Sequence, residues 1–190
     1  MIKVQAAGVT ATPGEAWDWN EPGEFDISQI FISHDGNYIR SIQFEYVQGG
    51  NFLLSPCHGT RHGPKFLCVK FDYPAEFLKK LSGKYDGTYG NGIVSLTFTT
   101  NKKTYGPFGN CEDHRMVDFE EFDASEDYRF PDFDFDVGEN RFGGFHGFVG
   151  RDTLLSIGIY VNLAAARRTR ALSVQGSNSL SLYDDVKEES

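Results

Sequence analysis

Ile93-Val94-Ser95-Leu96-Thr97-Phe98-Thr99-Thr100 reads apolar-x-Ser-apolar-x-apolar. The same reading returns in Ile39-Arg40-Ser41-Ile42-Gln43-Phe44-Glu45-Tyr46 and in Leu154-Leu155-Ser156-Ile157-Gly158-Ile159-Tyr160-Val161. The three serines, Ser41, Ser95 and Ser156, recur at intervals of about 55–60 residues, a period that marks a repeated structural unit. Period-2 alternation in each stretch predicts a strand with one face in a core.

Each copy follows a shorter strand and a Gly-containing turn. Ile30-Phe31-Ile32-Ser33 leads through His34-Asp35-Gly36-Asn37, where Asp-Gly is a strong hairpin signal. Leu81-Ser82-Gly83-Lys84-Tyr85 leads through Asp86-Gly87-Thr88-Tyr89-Gly90-Asn91-Gly92. Phe145-His146-Gly147-Phe148-Val149 leads through Gly150-Arg151-Asp152-Thr153. Three strand–turn–strand units predict three similar sheets about a pseudo-threefold axis. Three unrelated hairpins in an ordinary sandwich would have no reason to share both the serine and the upstream turn.

Further strands are expected at Phe66–Phe71, Met116–Phe122 and Phe133–Val137. In the last, Phe133, Phe135 and Val137 should face inward and Asp134 and Asp136 outward. Leu78 and Leu81 read as a strand entry after Pro74. Helix-forming Leu- and Ala-rich stretches are nearly absent, whereas Gly (21), Phe (17) and Tyr (9) are abundant. That balance favours short strands joined by many turns. A chain of 190 residues suits one core, burying roughly 70% of its unfolded surface.

The net charge of −9 and the lack of a Lys/Arg stripe in the folded part exclude nucleic acid as a partner class. No run of about 18 apolar residues exists, so no membrane span is expected. Cys57, Cys68 and Cys111 are odd in number and lack framework spacing, which fits a reducing compartment. Met1-Ile2-Lys3-Val4-Gln5 is not followed by an apolar signal core, so a cytoplasmic location is expected.

The acid-rich stretch from Glu112 to Glu139 reads as the polar side of amphipathic strands plus a surface loop, and it lacks a calcium-loop pattern. Cys57, His58, His62 and Cys68 match no common zinc spacing. Gly144, Gly147 and Gly150 precede no helix that could hold a phosphate, and no Gly-x-Ser-x-Gly elbow exists. No enzyme activity, metal or cofactor is expected. From Ala164 the chain becomes polar and aperiodic through Ser190, which predicts a disordered tail whose Arg167, Arg168 and Arg170 offer a contact to a protein partner.

Ser95-Leu96-Thr97-Phe98-Thr99-Thr100-Asn101-Lys102-Lys103-Thr104-Tyr105-Gly106-Pro107-Phe108-Gly109 resembles the most distinctive stretch of the jacalin-related lectins. Trp17-Asp18, Tyr38–Phe44, Leu81–Tyr85, Gly144–Gly147 and Ser156–Val161 agree with the family in the same order, so the resemblance covers residues 1–163. It implies an all-β fold, the β-prism I, with three four-stranded antiparallel sheets in pseudo-threefold symmetry. It also implies metal-free carbohydrate binding, with mannose- or glucose-type glycans the expected class and a homodimer among the expected assemblies.

In that family the ligand loops gather at one end of the prism. Carried over, they place Gly8 of the first loop, Tyr89, Gly90 and Asn91 of the second hairpin turn, and Gly150, Arg151, Asp152, Thr153 and Leu154 of the third in a sugar site. Backbone amides would donate at close approach and a carboxylate would accept from paired hydroxyls. Two departures stand out. Gln5-Ala6-Ala7-Gly8-Val9-Thr10 lacks the Gly-Gly run, so neighbouring Cβ atoms stand where backbone should approach the ligand. The expected carboxylate position holds Leu154, counted from Gly150, or Leu155, counted back from Ser156. Asp152 is the acid that remains in the turn. Two functions follow: a lectin with a modified site, or a prism that has lost sugar binding and serves as a protein-interaction module.

Overall fold

The computed structural model describes residues 1–10, 14–19, 25–60, 63–87, 91–110 and 130–163. Regular structure among them is strand throughout. In chain order these are β1 (Ile2–Lys3), β2 (Ala7–Gly8), β3 (Glu15–Trp19), β4 (Asp26–His34), β5 (Ile39–Gln48), β6 (Asn51–Leu54) and β7 (His58–Gly59). There follow β8 (Lys65–Lys70), β9 (Leu78–Asp86), β10 (Gly92–Thr100), β11 (Thr104–Gly109), β12 (Asp132–Asp136), β13 (Arg141–Val149) and β14 (Leu154–Asn162). The expected strand at Met116–Phe122 and the tail from Ala164 lie outside the described residues.

The strands form three antiparallel sheets, ordered β1-β14-β13-β3, β6-β5-β4-β8 and β11-β10-β9-β12. The four-stranded expectation holds with one refinement. In two sheets the edge next to the serine strand is broken in two, so β2 joins β1 against β14 and β7 joins β6 against β5. Phe133 is buried and its Asp neighbours are exposed, as the alternation predicts. Asp132 and Asp134 pair with Lys84 and Lys80 of β9, which accounts for part of the acid-rich stretch as a solvated strand face.

The threefold repeat is physical as well as sequential. Ser41 faces Gly59, Ser95 faces Gly109, and Ser156 faces Gly8. The three glycines share φ near 100° (99°, 101° and 103°). The residue after each glycine donates its amide to the carbonyl just before each serine: Thr60 to Arg40, Asn110 to Val94 and Val9 to Leu155, each at 3.0 Å. A Cβ on any of these glycines would stand 2.2–2.4 Å from that same carbonyl oxygen. Glycine is required by sign of φ and by close approach together.

The strict alternation expected in the serine strands is not what forms. The hairpin register slips between Ile39 and Ser41, between Ile93 and Ser95, and between Leu154 and Ser156. Arg40, Val94 and Leu155 are therefore extra residues in three equivalent β-bulges. The bulge shifts the inward phase, so the core takes the residues two before, one after and three after each serine. These form three layers: Ile39, Ile93 and Leu154; Ile42, Leu96 and Ile157; Phe44, Phe98 and Ile159. All nine are buried. Beside the third layer the rings of Phe44 and Phe145 stack at 4.3 Å, with Trp19 4.7 Å from Phe44 and Phe142 5.6 Å from Phe145.

Three histidines are buried in this frame. His58 stacks on Trp17 at 4.2 Å. The His146 Nε2–H donates to the Val4 carbonyl at 2.8 Å, so this ring packs beside its strand. Burial lowers the pKa of His58 and His146 from the ordinary 6.5, and burial together with Lys65 lowers that of His34. The unfolded chain takes up protons as pH falls through 6.5 while the folded chain resists them, so histidine-linked stability is intact above 6.5 and lost progressively below it. Urea midpoints measured from pH 7.5 to 5 are expected to fall, with a smaller fall in His58→Gln. A flat profile over that range contradicts this assignment.

Candidate functional site

The hairpin turns β4–β5, β9–β10 and β13–β14 meet at one end of the prism. They are tied by side chains of which only Asn91 was an expected site residue. Asp35 Oδ1 accepts the amides of Asn37 and Tyr38, both at 2.8 Å, and its Oδ2 binds the Arg40 guanidinium. Burial pushes the Asp35 pKa up, but these two amides and Arg40 outweigh it and hold the carboxyl below its usual range. Arg40 then reaches across the fold and donates to the Asp152 carbonyl at 2.8 Å. Tyr38 and Asn91 both donate to Asp86 Oδ2 at 3.0 Å. The first turn is thus bonded to the second and the third.

The bulge explains Arg40. It is the equivalent of Val94 and Leu155, a position whose side chain leaves the strand phase at the turn end. Aligning the three copies on their serines is the signal that points to it.

Of the expected site residues, the structure brings together Gly8, Asn91 and the turn Gly150-Arg151-Asp152-Thr153. Gly8 packs on the Leu155 carbonyl, and Gly92, next to Asn91, packs on the Leu154 carbonyl. The Gly150 amide donates to the Thr153 carbonyl at 2.9 Å and closes the third turn, as Asp35 and Tyr38 close the first at 3.3 Å. Tyr89 and Gly90 lie outside the described residues. Leu154 is fully buried in the first core layer and presents nothing to a ligand.

Leu155, the residue reached by the other way of counting, is placed differently. It is the bulge residue, and its Cδ atoms rest against Gly14 and Gly150. Being 6% exposed, it fills the space between them with hydrocarbon. Arg151 and Asp152 are exposed, and neither side chain has a hydrogen-bond or ion-pair partner among the described residues. Glu15, also exposed, pairs with Val149 at the entrance to the same turn. The described residues that flank positions 111–129, Asn110 and Phe130, sit at this end too: Asn110 donates to Val94, and Pro131 accepts from Tyr85.

Among the described residues no group of His, Cys, Asp and Glu could hold a metal ion. His58 lies in the core, while Cys68 lies on an outer sheet face with its thiol directed to Gln29. His62 lies outside the described residues. No helix among them is long and apolar enough to cross a membrane.

This end of the prism thus gathers three bulged hairpins with polar turn tips. The model of the jacalin-like lectin domain matches residues 4–160, and the chain belongs to that family. It is similar to "Jacalin-related lectin 2" of Arabidopsis thaliana, 34% identical over 85% of this chain and 86% of that one. It is 38% identical to "Protein RESTRICTED TEV MOVEMENT 1" of the same plant, over 76% of each. A mannose-specific jacalin-related lectin from Morus nigra in complex with mannose has a TM-score of 0.65 and 29% identity, over 85% of this chain and 94% of that one. A recombinant jacalin has a TM-score of 0.67 and 25% identity, over 85% of this chain and 94% of that one. The domain is a lectin type and not an enzyme.

Proposed function

We propose that the turn end binds carbohydrate without a metal, with Asp152 accepting hydrogen bonds from adjacent sugar hydroxyls. One observation carries this reading. Of the three carboxylates on the turns, Asp35 is engaged by Arg40 and two amides, and Asp86 by Tyr38 and Asn91, whereas Asp152 faces solvent on a backbone pinned by Arg40. Such an acceptor breaks no internal hydrogen bond when it engages a diol. Arg151 and the Thr153 amide supply donors beside it, with Gly8 and Asn91 at the border. Mannose- or glucose-type glycans are the proposed class, supported by the mannose complex of the Morus nigra relative.

The test is a glycan array on the purified protein, with free monosaccharide competition on every hit. Asp152→Ala is then expected to weaken the best hit about tenfold or more, the loss of one charge-assisted pair of hydrogen bonds. Unchanged affinity would sink the assignment of Asp152. A second reading rests on Leu155: hydrocarbon between Gly14 and Gly150 closes the site, and the prism binds protein. Silence across the array from protein shown to be folded supports that reading.

A further inference from the structure

The first and third hairpin turns follow one plan and differ at one residue that matters. Asp35-Gly36-Asn37-Tyr38 and Gly150-Arg151-Asp152-Thr153 stand at the same distance before their serines, Ser41 and Ser156. Each is closed by the same bond, from the Asp35 amide to the Tyr38 carbonyl and from the Gly150 amide to the Thr153 carbonyl. Tyr38 is therefore the equivalent of Thr153, and Asp35 of Gly150. In the first turn the Tyr38 amide donates to Asp35 Oδ1 at 2.8 Å. In the third turn Gly150 has no side chain to accept in this way. The Thr153 amide has no acceptor among the described residues.

The direction of that amide is set by Arg40. Its Nη1 donates to the Asp152 carbonyl at 2.8 Å, while its Nε, at 3.0 Å, and its Nη2 both donate to Asp35 Oδ2. Asp35 is in turn held by the Asn37 and Tyr38 amides. A guanidinium gripped at two nitrogens by an anchored carboxylate has little freedom to swing. The peptide joining Asp152 to Thr153 is planar and trans, so its N–H points opposite to its carbonyl. With the carbonyl turned to Arg40, the Thr153 amide is turned away from it. The cation on the carbonyl also polarises the peptide and strengthens the amide as a donor. Val94 and Leu155, the equivalents of Arg40, are hydrocarbon, so the other two bulges form no such link.

We propose that Arg40 is a positioning residue of the carbohydrate site. It touches no sugar, but it holds the Asp152–Thr153 peptide so that the Thr153 amide donates to a sugar oxygen as the Tyr38 amide donates to Asp35. The inference rests on the carbohydrate reading of the turn end. A turn without Arg40 would have to order this peptide on binding, whereas the anchored turn is ordered on folding.

The test follows amide shifts of labelled protein as methyl α-mannoside is added to wild type, Arg40→Ala and Arg40→Lys. Arg40→Ala should weaken binding about tenfold and should move the Thr153 amide resonance already in the ligand-free protein. Arg40→Lys keeps the charge and loses the fork; it is the milder variant should the alanine protein unfold, and it should show the same Thr153 shift with a smaller loss of affinity. Millimolar guanidinium, bound beside Asp35, should restore part of the affinity of Arg40→Ala, a rescue that a merely structural role would not give. Phe145→Leu, in the aromatic stack away from the turns, should bind as wild type does and so separates lost stability from lost positioning. Arg40 variants that bind like wild type, or that leave the Thr153 amide unmoved, overturn the positioning role. Wild type that binds neither methyl α-mannoside nor any array glycan overturns the carbohydrate reading itself, and this role with it.

Discussion

Gly59→Ala, Gly109→Ala and Gly8→Ala are each expected to destabilise the fold by about 3 kcal/mol or more, which lowers Tm by about 6–12 °C. Two costs add at these positions. An L residue at φ near +100° is strained in its own backbone. Its Cβ would also stand 2.4 Å or less from the carbonyl of Arg40, Val94 or Leu155, oxygens already engaged by Thr60, Asn110 and Val9. Moving that carbonyl breaks the bond that joins edge strand to bulge. Gly49→Ala and Gly50→Ala are the controls. Both have positive φ, but nothing lies within 4 Å of the added Cβ, so only the conformational cost of about 1 kcal/mol remains. Thermal unfolding of the five variants separates the two effects. Equal costs across all five would mean that the close approach at the serine strands is not a stabilising feature.

Phe145→Ala is expected to cost about 4 kcal/mol, the scale for deleting a large ring from a packed core. Phe145 is fully buried and touches three rings at once, Trp19, Phe44 and Phe142, with Phe44 stacked at 4.3 Å. It belongs to β13, while Phe44 belongs to β5, so the stack joins two of the three sheets. A cavity here cannot collapse without moving one sheet against another. Phe145→Leu keeps most of the volume and should cost only about 1–2 kcal/mol. The emission of Trp19, whose ring lies 5.9 Å from Phe145, should shift in the Ala variant and provide a local readout alongside the urea midpoint.

The sequence discloses the three sheets because the repeating unit carries a polar landmark. Ser41, Ser95 and Ser156 each lie against a glycine, and a small residue must be kept there whatever else varies. The bulges are hidden because Ile93-Val94 and Leu154-Leu155 are apolar on both sides of the slip, so an extra residue reads as more strand. The same ambiguity leaves two candidates, Leu154 and Leu155, for the position of the missing carboxylate. Arg40 was missed for a different reason. Its partner is the carbonyl of Asp152, and no local pattern announces a contact between chain segments so far apart.

The site reads less fully than the fold. The grouping of Gly150–Thr153 with Asn91 comes from the family resemblance and not from any local pattern; in the structure Gly92, next to Asn91, lies against the Leu154 carbonyl. Sequence cannot foresee that Asp35 and Asp86 are consumed internally, which is what leaves Asp152 as the free acceptor on the turns.

Amide chemical shifts of labelled protein, followed as methyl α-mannoside or the best array hit is added, test the central claim most directly. The account predicts saturable shifts centred on Gly150, Arg151, Asp152 and Thr153, with smaller ones at Asn91 and Val9, and little change on the outer sheet faces. Saturable shifts elsewhere on the prism, or none from folded protein at high ligand concentration, would contradict it.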